Sequence, residues 1–301
     1  MSTAPIVGAA PRPGAFRRFL SAFRSSGVAM TGLVLLVAIV LAALLAPWIA
    51  PQDPYDLTQL DILDGRLPPG SVSATGMTYW LGTDDQGRDM LSAILYGLRI
   101  SLFVGVTSAL AAATVGAILG LVAAYAGGRL ESALMRLVDL QLSFPTILIA
   151  LMILAFLGKG IANVVLALVI VEWAAYARTA RASALIESRK EYIEAATAMG
   201  ASSGRILFRH LLPNCLTPLL VIGTVQVARA IALEATLSFL GLGVPVTEPS
   251  LGMLIANGYQ YMLSGKFWIS FYPGVALLLT VMAINMVGDH LRDVLNPRRG
   301  E

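Results

Sequence analysis

The chain has 301 residues, of which 57% are hydrophobic and 13% charged. A soluble domain carries about 25% charged residues, so a water-covered globule of this length lacks the surface it needs. The net charge of +3 is small and no dense basic face is present, which excludes a nucleic-acid partner, and the single cysteine, Cys215, excludes an internal disulfide framework or a cysteine-cluster metal site.

Residues 1–27 are polar, contain Pro and Gly, and carry Arg12, Arg17, Arg18 and Arg24 with no acidic residue. A helix rises about 1.5 Å per residue, so crossing hydrocarbon takes roughly 20 apolar residues. Residues 28–49 meet that length without a charge. The run is too long for the apolar region of a signal peptide and has no clear cleavage site, so 28–50 is expected to be a retained first transmembrane helix.

Residues 51–98 follow as one long polar loop. Pro51, Pro54, Pro68 and Pro69 keep its first part irregular, and Asp53, Asp56, Asp61, Asp64, Asp84, Asp85 and Asp89 make it acidic. Its end, 88–98, reads as a short amphipathic helix leading into the next span. Connections this long are usually functional or disordered.

The second span is 101–126, with Gly105, Gly116 and Gly120; the Gly116–Gly120 spacing suits close helix packing. Residues 145–157 and 161–176 form the third and fourth spans, separated by a tight Gly158-Lys159-Gly160 hairpin. Residues 177–213 are the longest segment on the side opposite the acidic loop. The fifth span, 215–242, contains Arg229 and Glu234, and the sixth is 271–287. The five spans after the first make up a core of residues 99–290, and 291–301 form a tail.

Lys and Arg set the orientation. They concentrate in the N-terminal segment, at Arg129 and Arg136, at Arg178, Arg181, Arg189, Lys190, Arg205 and Arg209, and at Arg292, Arg298 and Arg299. Both termini and 177–213 are therefore expected in the cytoplasm, and 51–98 outside.

Catalytic signatures are missing. No GxxxxGK[ST] loop is present to cradle phosphates. His210 and His290 stand without a partner at ligand spacing. The run Asp84-Asp85-Gln86-Gly87-Arg88-Asp89 faintly suggests a calcium loop but lacks the alternating oxygen ligands and the closing Glu. The chain is expected to be no enzyme and to bind no cofactor or metal itself.

The segment 177–213 carries the positive signal. It reads as helix, break, helix, with strong helix formers over 179–199. Gly200 is suited to the left-handed residue that ends a helix, and Ser202 or Ser203 can cap the next one. Pro213 starts or kinks the fifth span. Ala195, Ala196 and Ala198 leave one helix face bare, beside the charge of Glu194. In isolation this is equally an ordinary polar loop with incidental alanines.

The order of residues decides the reading. Glu194-Ala195-Ala196, then Gly200, then His210-Leu211-Leu212-Pro213, resembles the cytoplasmic signature of type I ABC importer permeases. His at 210, where the general pattern has Ile, resembles the peptide/nickel branch. So do Trp80 to Asp89, Tyr176-Ala177-Arg178, Glu234 to Gly243, and Gly288-Asp289 through Asn296-Pro297. The match runs from about Pro51 to Pro297 and resembles the second of two paralogous permeases.

The resemblance implies an all-α polytopic membrane protein with six transmembrane helices in a bacterial inner membrane. It implies as partners a paralogous permease subunit, two ABC ATPase subunits that hold ATP and Mg, an extracytoplasmic substrate-binding protein and the lipid bilayer. Glu191, Glu194, Ala195, Ala196, Gly200, His210, Leu212 and Pro213 would form the ATPase-coupling segment. Loop 51–98 would meet the loaded binding protein. Short peptides are the expected cargo; nickel complexes, glutathione, opines and sugars are alternatives within the branch.

Glu172, Arg229 and Glu234 are ionisable groups inside predicted spans, where such groups face a cavity or a partner. Arg229 and Glu234 are five apart and point to different helix faces. Arg229 either lines the translocation path, attracting a substrate carboxylate, or pairs with Glu172 or with an acid of the second permease. Glu234 is the other path candidate, with a structural or gating role favoured. An ion-coupled secondary transporter would also need intramembrane acids, for which Glu172 and Glu234 are weak candidates.

Overall fold

A computed structural model describes residues 24, 26–56, 58–73 and 76–295. Arg12, Arg17, Arg18, Arg298, Arg299 and the Asn296-Pro297 pair lie outside the described residues. Nine helices of eight or more residues carry the described fold: α1 Gly27–Ile49, α2 Met90–Ala126, α3 Gly128–Ser143, α4 Thr146–Leu157, α5 Ile161–Glu187, α6 Glu191–Ala198, α7 Leu212–Phe239, α8 Leu251–Tyr259 and α9 Trp268–Leu295. A two-residue ribbon, β1 Ser71–Val72 and β2 Thr78–Tyr79, pairs antiparallel in the external loop.

α2 is the hub, packing on α5, α7 and α1, while α9 packs on α1, α7 and α8. Glycines allow the closest approaches. A Cβ on Gly116 would stand 2.4 Å from the Trp173 carbonyl oxygen, and one on Gly120 2.3 Å from that of Ala177. The Gly116–Gly120 spacing is thus filled by α5 backbone, the close packing expected of it.

Five long apolar helices are continuous, and the third span is not. Twelve residues of α4 rise only about 18 Å, too little for a hydrocarbon core of about 30 Å. The amphipathic α3 precedes it, and the two helices meet at 92°. Pro145 causes the break: it forces Phe144 into extended backbone (φ −92°, ψ 145°) and itself occupies the N-cap of α4.

Three further boundaries differ from expectation. Residues 88–98 are not a separate helix; α2 starts at Met90 and runs unbroken for 37 residues, about 55 Å. Its first turns are enclosed by Leu251, Leu254, Trp268 and Ile269. α5 continues past 176 to Glu187 because α3 neutralises its arginines: Arg178 pairs with Asp139, and Arg181 Nη2 lies 2.5 Å from Glu131. α9 extends the sixth span at both ends, to Trp268 and Leu295.

The loop before α2 is held by a buried buckle. Asp84 accepts from the Gln86 and Arg88 backbone N–H groups at 2.9 Å, and Arg88 Nε donates to its second oxygen at 2.6 Å. Asp84 and Arg88 are 0% and 1% exposed. Gly87 makes the turn at φ +76°, and a Cβ there would meet the Asp61 carbonyl oxygen at 2.0 Å. Gln52 ties the loop ends together, accepting from the Asp89 N–H at 2.6 Å and donating to the Gln59 carbonyl at 2.9 Å. Trp268 Nε1 donates to the Thr83 carbonyl and fastens the loop to α9. The run that faintly suggests a calcium loop is therefore an acid–arginine turn, and among the described residues no group of three or more His, Cys, Asp or Glu is placed to hold a metal. Burial raises the carboxyls of Asp85 and Asp89 above the ordinary range; the charge of Asp84 adds to this at Asp85.

Candidate functional site

The segment expected as one helix over 179–199 is two. α5 ends at Glu187, Ser188-Arg189-Lys190 turn the chain, and α6 begins at Glu191. Side-chain bonds override helix propensity here. Glu187 accepts from Lys190 Nζ at 2.9 Å and from the Tyr192 hydroxyl at 2.7 Å, folding the chain back on itself. Burial, followed by the neighbouring Glu187 carboxylate, pushes the Tyr192 phenol up to about 12. The bond between Glu187 and Tyr192, both inside 177–213, is not legible in the sequence, because a pair five apart across a turn follows no helical period.

α6 has two faces. Ile193 and Ala196 are buried, each 5% exposed, against the chain itself. Glu191, Glu194, Ala195 and Ala198 are exposed, and Met199 projects beyond them at 83% exposure. Ala196 is therefore not part of a bare outer surface: it lets α6 sit close to its own core, while Ala195 and Ala198 form the bare patch beside Glu194. Gly200 ends the helix with φ +75°, as its position suggested. Ser202 occupies the N-cap of the next turn without a side-chain capping bond, and Ser203 is instead within 3.2 Å of the Tyr125 hydroxyl.

His210, Leu212 and Pro213 lie behind α6 rather than on its outer face. Residues Ile206–Leu211 form a π-turn that leads straight into α7, with the Leu212 N–H donating to the Leu207 carbonyl. Pro213 has no N–H to give and its ring would crowd the carbonyl four residues back, so a widened turn relieves both demands. The His210 ring lies 6.4 Å from that of Tyr192, and Asn214 Nδ2 donates to the His210 carbonyl at 2.6 Å and to the Tyr192 hydroxyl at 3.1 Å. Leu212 packs with Ile193, Ile206 and Leu211 in the core under α6. These residues hold the helix in position.

The two intramembrane path candidates occupy different environments. Arg229 is exposed on α7, and its Nη2 donates to the Thr146 hydroxyl at the start of α4 at 2.9 Å. It forms no ion pair with Glu172. Glu234 is fully buried, accepting from Ser101 at 3.0 Å on α2 and from Ser238 at 2.8 Å on its own helix. Ser238 Oγ also accepts from the Val244 N–H, so Glu234 braces the turn that closes α7. That is a structural position; as a lining residue of the path Glu234 is not accessible here.

The family described as the binding-protein-dependent transport system inner membrane component matches residues 116–301, and the N-terminal TM domain of oligopeptide transport permease C matches 14–69. The di/tripeptide transport system permease protein DppC of Pseudomonas aeruginosa is 38% identical over 95% of this chain and 93% of its own length. The dipeptide transport system permease protein DppC of Haemophilus influenzae is 37% identical over 99% of both chains. The oligopeptide transport system permease protein OppC of Bacillus subtilis is 36% identical over 92% of this chain and 87% of its own. Among solved structures, an inward-facing conformation of the MetNI methionine ABC transporter aligns with 69% of this chain and 98% of its own, with a TM-score of 0.57 at 22% identity.

Proposed function

We propose a function from one premise: the chain belongs to the family of binding-protein-dependent transport system inner membrane components. It is a permease subunit of an ABC importer, and we infer that it forms half of a translocation path for di- or oligopeptides. Its relatives, named for those cargoes over nearly their whole length, support the cargo class. A paralogous permease would complete the path, two ATPase subunits would bind ATP and Mg, and an external binding protein would deliver the solute. This chain would bind neither nucleotide nor metal.

One observation carries the coupling role. α6 presents an acid, Glu194, between small side chains on a pedestal fixed by Ile193, Ala196 and the Tyr192–His210 contact. A groove of an ATPase fits over such a helix, with a basic residue opposite Glu194.

Orientation follows the Lys/Arg distribution, with the bacterial inner membrane as the site, α6 in the cytoplasm and the buckled loop outside. Leu63 is 88% exposed and Ser203 is exposed, so each accepts a cysteine. In a Cys215→Ser background, an impermeant thiol reagent added to spheroplasts is expected to label Leu63→Cys and spare Ser203→Cys. The reverse pattern contradicts the orientation.

Arg229 supplies the carboxylate-attracting group of the path. A mid-membrane arginine costs about 2.5–3.5 kcal/mol on insertion scales unless it is solvated or paired. A water-filled path removes most of that cost and explains an arginine held by one threonine hydroxyl. Arg229→Met is expected to leave the complex assembled and to slow uptake of peptides with a free C-terminal carboxylate, sparing C-terminally amidated ones. Loss of assembly instead makes the charge a structural partner.

A further inference from the structure

Two opposite charges face one another inside the membrane without pairing. The cytoplasmic end of α5 packs on the start of α7 and its external half on the end of α7, so the helices run antiparallel. The Tyr176 hydroxyl of α5 lies 3.9 Å from where a Cβ on Gly223 of α7 would stand. One turn back along α5 is Glu172, on the same face as Tyr176. Between one and two turns onward along α7 is Arg229, at the same level. Their neighbours Val171 and Ala230 share one core cluster.

Glu172 is 2% exposed, and neither of its carboxylate oxygens has a hydrogen-bond partner among the described residues. A buried polar group left without a partner is costly, and a buried charge more so. The charge of Arg229 acts on Glu172 through space, but the guanidinium is turned away to Thr146 on α4. Gln226 Nε2 on α7 is also buried without a partner; as a neutral amide it can donate a hydrogen bond but supplies no counter-charge. α4 is a short helix set at 92° to α3, so the Thr146 contact comes from a helix separate from both α5 and α7.

We propose that Arg229 exchanges Thr146 for Glu172 during the transport cycle, and that this exchange releases the solute carboxylate from the arginine. The exchange rests on the reading of Arg229 as the carboxylate-attracting group of the path. Glu172 is then a positioning residue: it competes for the guanidinium and does not touch the solute.

The test uses the full complex with its binding protein in proteoliposomes, reading dipeptide uptake, ATP hydrolysis and subunit retention. Glu172→Gln is expected to lower uptake at least tenfold while hydrolysis continues, with Glu172→Asp restoring most of the loss. Glu172→Gln combined with Arg229→Met is expected to be no slower than Arg229→Met alone. Wild-type uptake by Glu172→Gln, with Arg229→Met still slow, overturns the exchange and leaves Arg229 on the path. Unimpaired uptake by Arg229→Met removes both readings. Losses that multiply in the double variant also overturn the exchange. If Glu172→Gln fails to assemble, Thr146→Val decides from the other side, because it leaves Arg229 to Glu172 alone: loss of uptake with assembly and hydrolysis intact supports the exchange, and wild-type uptake overturns it.

Discussion

Arg88→Ala is expected to unfold the external loop and abolish uptake, although it lies far from any nucleotide or path residue. The guanidinium is 1% exposed and sits on Asp84, which is 0% exposed. Removing one member of a buried ion pair costs about 3–5 kcal/mol, because the other charge is stranded. Asp84 also receives two backbone N–H groups, so losing its geometry releases the turn at Gly87 and the Trp268 contact with Thr83. The first turns of α2 pack under that loop. Limited proteolysis from the external face is expected to cut the variant within 51–89 and to spare wild type. Asp84→Asn is expected to be comparably damaging: its amide oxygen can accept from the backbone, but its amide nitrogen then faces Arg88 Nε and the buried guanidinium loses its counter-charge. Resistance of Arg88→Ala to the protease, with normal uptake, means the buckle is dispensable.

Glu194→Lys is expected to detach the ATPase subunits from the membrane or to leave them hydrolysing without transport. Glu194 is exposed on the outer face of α6, where the proposed docking would cover it. Truncating one side of such a charged contact costs about 2–5 kcal/mol, roughly thirty-fold or more in affinity. Reversal adds repulsion. Glu194→Ala is expected to be weaker than Glu194→Lys, while Ala195→Trp is expected to match Glu194→Lys by filling the bare patch. Ala196→Trp acts differently, because Ala196 faces inward: it is expected to lower the stability of the chain itself. Sedimentation of the ATPase with membranes checks the first three, and thermal unfolding of the purified permease the last. Full transport by Glu194→Lys with normal ATPase retention means α6 is not the docking helix.

Much of this was legible in residue order. Long charge-free runs mark the spans because hydrocarbon tolerates few unpaired charges, and the Glu194-to-Pro213 spacing marks the segment proposed to couple to the ATPase. Gly200 was readable because few other residues accept its backbone angle. The misreadings share one cause: a tertiary contact decides against a local tendency. Helix formers continue through Ser188, yet the Glu187–Tyr192 bond stops the helix. Arg178 and Arg181 look like the end of a span, yet α3 supplies their counter-charges. Ala196 looks like surface beside Ala195, and only the packing of Ile193 shows which way it faces. The different faces of Arg229 and Glu234 were readable from their spacing, but their partners were not, since those depend on where Thr146, Ser101 and Ser238 arrive in space.

The central claim is that this chain moves its solute on energy taken from ATP by partner subunits docked on α6. The direct measurement is peptide uptake into proteoliposomes holding both permeases and both ATPases, with the loaded binding protein outside and ATP and Mg enclosed. Uptake is predicted only with hydrolysable ATP, unaffected by collapse of proton and sodium gradients, and lost with Glu194→Lys. Uptake driven by an ion gradient without ATP, and retained in Glu194→Lys, contradicts the account and makes the chain an ion-coupled carrier.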